Sequence, residues 1–158
     1  HTRRQCNNKN YLNKKIFTFN MKTKKRFLTV GLIILVLNLI WEFSHHFLYI
    51  DLSGISKYPH LIIASLMDAL IILCIFAIAS LKNKNFDWIK SPSTSDYLLV
   101  AFMGIAVAIF IELINLNLGR WEYTRAMPTI FGVGISPLIQ LALTGIVSII
   151  VIKYVKEQ

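Results

Sequence analysis

The sequence predicts an all-α polytopic membrane protein: a four-transmembrane-helix bundle with both termini in the cytoplasm. Three observations predict it. Hydrophobic residues make up 55 % of the chain and charged residues only 16 %, too apolar a balance for a soluble domain of 158 residues. The apolar residues gather in four continuous runs of about 20 residues, the length that carries a helix across a hydrocarbon core of ~30 Å. The runs do not alternate as barrel strands do, which leaves the helix as the way to satisfy the backbone in lipid.

The chain opens on a segment unlike the rest. His1 to Asn20 carry Arg3, Arg4, Lys9, Lys14 and Lys15 and no acid. Residues 1–20 are read as a disordered leader or non-native upstream segment, and 21–158 as the membrane domain. A basic arm touching anionic lipid or nucleic acid is the sharper reading of that tail; for the protein as a whole no nucleic-acid partner is expected. Met-Lys-Thr-Lys-Lys-Arg at 21–26 imitates a signal-peptide start. The apolar run behind it is too long and lacks a small-x-small cleavage site, so it is read as a retained span. Cys6 and Cys74 form no C-x-x-C pair, and no cysteine chemistry is expected.

The spans are expected at about 27–50, 60–81, 97–117 and 130–152. Ser91-Pro92-Ser93-Thr94-Ser95-Asp96 reads as a turn and N-cap before the third. Met127-Pro128 is expected to start the fourth, and Ser136-Pro137 to kink it. Gly104 and Ala108 are spaced for close helix packing. Lys22, Lys24, Lys25, Arg26, Lys82, Lys84, Lys90, Lys153 and Lys156 fall on one side, against Lys57, Arg120 and Arg125 on the other. The positive-inside rule makes the first side cytoplasmic. The expected location is the cell membrane, multi-pass, in a bacterial inner membrane. Trp41, Tyr49, Tyr58, Trp88, Tyr97, Trp121, Tyr123 and Tyr154 are placed near the boundaries as an aromatic belt.

On this topology the polar residues of the spans collect at one depth. Glu42, Asp68, Glu112 and Gln140 each lie roughly 8–15 Å below the outer boundary at about 1.5 Å per residue. Glu42, His45, His46 and Tyr49 follow the spacing of one helix face, His60 shares a side with Asp68, and Glu112 and Asn115 are one turn apart. Gln140, Thr144 and Ser148 make a stripe on the fourth span. Ionisable groups facing lipid are costly, so these side chains should converge. Polar packing between helices is the plain reading of a lone Gln or Ser. Three carboxylates and several histidines point instead to a site.

Glu42, Asp68 and Glu112 are the expected catalytic groups, one protonated acid beside a base. His45, His46, Asn115, Arg120, Trp121, Tyr123 and Gln140 are the expected substrate-binding residues. Arg120 can pair with Glu122 or Asp51, or clamp an anionic head group. Glu42-x-x-His45 also has the spacing of dimetal carboxylate bundles, so His45 and His60 with the three acids could hold a divalent metal, although the motif occurs once rather than twice. No cofactor is specified beyond that metal. Membrane lipids and a lipid-like or amphipathic ligand are the expected partners. The expected function is a membrane-embedded enzyme acting on a lipid-like substrate. The alternative is a transporter, carrier or complex subunit whose polar residues bind solute or protons, or only hold the helices together.

The pattern Trp41-Glu42, Leu48-Tyr49, Asp68, Glu112, Trp121-x-Tyr123, Met127-Pro128 and Ser136-Pro137-Leu138-x-Gln140 resembles a family of small, uncharacterised four-span bacterial integral membrane proteins. The resemblance covers most of Trp41 to Gln140. It implies that another polar residue can replace His45, and that Glu42, Asp68, Glu112 and Gln140 form the centre of the site. It implies no activity.

Overall fold

The computed structural model describes residues 28–85 and 87–154. The leader at 1–20 and the flanking charges Lys22, Lys24, Lys25, Arg26 and Lys156 lie outside the described residues. The chain divides into two units, His1–Leu32 and Ile33–Gln158. In the first, the described residues are helical. The second holds everything that follows.

Among the described residues, four helices are long and apolar enough to cross a membrane: α1 (Leu28–Leu48), α2 (Lys57–Asn83), α3 (Thr94–Asn117) and α4 (Ile135–Tyr154). Large apolar side chains such as Leu66, Leu98, Phe102 and Phe110 stand exposed on their outer surfaces. Water would not tolerate so much apolar surface on an isolated chain, and lipid would. The chain is thus built as a multi-pass membrane protein.

Local chemistry sets the helix ends. α2 begins earlier than expected because Pro59 sits in its first turn, where no intrahelical N–H is needed. Its C-cap, Lys84, takes the left-handed conformation (φ 49°). α3 starts at the expected cap: the Asp96 carboxylate accepts the Ser93 hydroxyl at 2.7 Å and the Ser93 N–H at 2.8 Å. Asp96 also accepts Lys82 Nζ and Asn83 Nδ2, each at 2.8 Å, tying the end of α2 to the start of α3.

Three expectations need correction. α4 begins at Ile135, not near residue 130, and Pro128 precedes a β-hairpin rather than the helix. Pro137 is the third residue of α4, where a missing N–H breaks no helical bond, so it is not a mid-span kink. The fold is also not purely helical. β1 (Tyr49–Asp51) pairs antiparallel with β2 (Trp121–Tyr123), with Ile50 opposite Glu122. β3 (Thr129–Ile130) pairs with β4 (Val133–Gly134). β2 lies in a connection expected as a plain loop, while β1 and the second hairpin take up the ends of the spans expected at 27–50 and 130–152.

α3 and α4 make the most extensive helix contact. A Cβ on Gly104 would lie 2.7 Å from the Ala142 backbone nitrogen, so only glycine allows this approach. Toward the α2–α3 connector, Ile34, Ile72, Val100 and Ile149 are fully buried. Trp88 closes that end. Its Nε1 donates to Ser80 Oγ at 2.9 Å and its ring stands edge-on to Phe76. It belongs to the core, not to the belt in which the sequence places it, because the short 3₁₀ turn Trp88–Lys90 folds back under the helices.

Candidate functional site

At the opposite end, all four helices of the second unit open around one cavity of about 430 Å³. α1 contributes Glu42, His45 and His46, and β1 adds Tyr49. α2 contributes His60, Ala64 and Asp68. α3 contributes Ala108 and Glu112, and α4 contributes Pro137 and Gln140. The β1–β2 pair, with Trp121, lies at its mouth.

The acids form two centres. In the first, Gln140 Nε2 donates to Glu42 Oε1 at 2.7 Å and to Asp68 Oδ2 at 2.6 Å. Two oxygens so close to one nitrogen are within roughly 5 Å of each other, and the two carboxyls stand in hydrogen-bonding reach. Gln140 is 5 % exposed, and its amide holds both acids from the opposite helix.

In the second centre three donors converge on Glu112. Tyr123 Oη donates to Oε2 at 2.6 Å, Trp121 Nε1 to Oε2 at 3.3 Å, and Tyr49 Oη to Oε1 at 3.2 Å. The strand register makes this possible: Tyr49 and Tyr123 are direct partners across β1–β2, and Trp121 projects from the same face two residues on. Tyr123 Oη in turn accepts the Gly134 N–H at 2.9 Å, which links the site to the second hairpin. Burial, then the Glu112 carboxyl, push the phenols of Tyr49 and Tyr123 above the usual tyrosine range.

His45 is 7 % exposed. Its Nδ1 lies 2.8 Å from the Trp41 carbonyl oxygen, which can only accept, so Nδ1 carries the proton. In the neutral ring Nε2 is then an acceptor, and among the described residues no hydrogen bond reaches it. His60 pairs with Asp51 at the mouth, and Asp51 also accepts the Ser53 hydroxyl at 2.6 Å and the Ser53 N–H at 2.9 Å. Partial burial opposes ionisation of Asp51, but the Ser53 and His60 hydrogen bonds outweigh it and hold the carboxyl below its ordinary range.

Some expected site residues go elsewhere. Arg120 Nη1 donates to Asn115 Oδ1 at 3.0 Å, not to Glu122 or Asp51, and neither Arg120 nor Asn115 lines the cavity. The chain turn at Gly119 sends the guanidinium back along α3. His46 lines the cavity, with Nδ1 3.0 Å from the Phe43 carbonyl. The metal set does not assemble: among the described residues no three His, Cys, Asp or Glu side chains are disposed to hold an ion. His60 is turned to Asp51 and His45 to Trp41. Tyr49, expected as a boundary aromatic on the face of Glu42 and His45 but not as a site residue, serves both as wall and as donor. Its i+7 spacing from Glu42 was the available signal.

The cavity has a packed floor. Thr144 and Ser148, the polar stripe of α4, return their hydroxyls to carbonyls of their own helix at 2.8 and 2.6 Å. Thr144 also donates to Asn38 Oδ1 at 3.3 Å, and Asn38 is fully buried. Compared with known protein families, curated proteins and solved structures, the chain gives no match.

Proposed function

We propose that this is a cell-membrane protein whose cavity receives the polar head of a lipid-like molecule from the outer leaflet, with the Glu42–Asp68 pair as proton donor and acceptor of a membrane-embedded enzyme. Both termini are cytoplasmic in this reading, supported by nine basic residues on that side against three on the other. The observation that carries it is a cavity of about 430 Å³ whose inner wall is a carboxyl pair clamped by one amide. That volume suits a small-molecule site. Two carboxyls in hydrogen-bonding reach are compatible with one shared proton, the arrangement that lets one act as acid and the other as base.

A carrier would need a polar way onward from Gln140. The Ser148 hydroxyl is spent on its own helix and that of Thr144 on its helix and the buried Asn38, and Ile34, Ile72, Val100 and Ile149 fill the space between the helices, which favours a closed pocket.

Native mass spectrometry of the detergent-extracted chain tests the reading. One amphipathic molecule per chain is expected to be retained, and Ala64→Trp, which fills the cavity from α2, is expected to abolish retention. Undiminished retention by a folded Ala64→Trp variant would put the molecule on the outer surface and end the proposal.

A further inference from the structure

The polar groups of the cavity wall are unbalanced. Its inner donors are engaged: Tyr49 and Trp121 give theirs to Glu112, and the Gln140 amide gives its own to Glu42 and Asp68, while the Lys57 ammonium lines the cavity from the exposed start of α2. Its acceptors are not. Among the described residues Glu42 and Asp68 receive one N–H each, both from Gln140, although a carboxylate has about four lone-pair positions. His45 Nε2 receives none among the described residues, in a side chain 7 % exposed. Among the described residues, no ion pair reaches Glu42 or Asp68. These acceptors open on the cavity rather than being sealed in protein, so the wall is placed to receive something that donates.

Building on the head-group reading above, we propose that the molecule received by this cavity carries a primary ammonium group, whose N–H donors are accepted by Glu42, Asp68 and His45 Nε2. An ammonium has three donors and no acceptor, matching the three unfilled groups in number and sense. Tyr49 and Trp121 line the same space, as suits an organic cation. A bare divalent ion fits less well, since no three ligands converge at coordination distance. A hydroxyl head group brings one donor and no charge. A quaternary ammonium brings charge and no N–H. The source of the ammonium can be an aminolipid or a soluble amine, and tail length separates them.

The test uses the full chain in phosphatidylcholine nanodiscs at neutral pH. Dodecylammonium, dodecyltrimethylammonium, dodecanol and ethylammonium are compared by saturable thermal stabilisation and by native mass spectrometry. Dodecylammonium is expected to bind one per chain, on the order of tenfold more tightly than dodecyltrimethylammonium or dodecanol. The isosteric Glu42→Gln variant is expected to fold and to lose that preference. Ethylammonium competing as well as dodecylammonium would uphold the ammonium site and assign it to a soluble amine. Equal binding of dodecanol and dodecylammonium, or an unchanged preference in Glu42→Gln, overturns the ammonium while leaving an amphiphile pocket. If none of the three long-chain probes binds saturably, the head-group reading itself fails.

Discussion

Three donors meet at Glu112, and their number decides what each substitution there should do. Glu112→Gln keeps one acceptor oxygen and the shape, so the loss of stability should be about 1 kcal/mol. Glu112→Ala strands Tyr49, Trp121 and Tyr123 together and should cost about 3 kcal/mol or more. Thermal unfolding in one detergent compares the two; equal losses would mean that the donors find other partners. The tyrosines of β1 and β2 make a second prediction. Their folded pKa values lie above the unfolded value of about 10. Their contribution is therefore complete below that value and is lost as pH rises toward the folded values. Phenolate absorbance should show Tyr49 and Tyr123 titrating only as the chain unfolds, and Tyr49→Phe should remove one such late group. Asp51 runs the other way. Its folded pKa is depressed, so its stabilisation is present above the ordinary carboxylate range and fades as pH falls through the folded value. The stability gap between the native chain and Asp51→Asn should be open at neutral pH and close below about pH 4.

At the scale of elements, close approach and turn geometry govern. Gly104→Val places carbon atoms where the Ala142 backbone already stands. Overpacking of this kind costs about 1–3 kcal/mol, and α3 and α4 must separate to relieve it. A lowered melting temperature is the expected readout, and an unchanged one would mean that the helices are looser than this packing implies. The β3–β4 turn is unusual in the opposite sense. Phe131 and Gly132 both have positive φ, 51° and 81°, as a two-residue hairpin turn requires, yet phenylalanine is disfavoured there. Its side chain is fully exposed, so Phe131→Asn should stabilise the chain modestly if turn strain is all that matters. Four spans and the Ser93 cap were legible because long apolar runs and a Ser-x-x-Asp box are local signals. The strands were not, because two or three residues carry no period and β1 pairs with a segment about 70 residues away.

At the scale of the whole molecule, the proposed orientation makes a two-sided prediction. In a background without native cysteines, Ser53→Cys in the β1–α2 turn should react with a membrane-impermeant maleimide on intact cells. Lys84→Cys, at the end of α2, should react only after permeabilisation. The reverse pattern would invert the topology and put the cavity on the cytoplasmic side.

Composition and run length were enough to set the class of protein, because the cost of a polar backbone in lipid leaves a long apolar run one structure to adopt. Helical periodicity was enough to put Glu42 and His45 on one face of α1, and the scarcity of buried charge marked Asp68 and Glu112 as belonging inside. Which group meets which depended on contacts between distant parts of the chain. Gln140 reaches Glu42 and Asp68 across 98 and 72 residues, and Tyr49 reaches Glu112 across 63. Tertiary structure alone divided the acids into a donor-rich centre at Glu112 and a donor-poor pair at Glu42 and Asp68. It turned Arg120 away to Asn115 and His60 to Asp51. The reason is that a hydrogen bond depends on where side chains end, and the strand register and helix packing that set those ends are properties of the assembled fold.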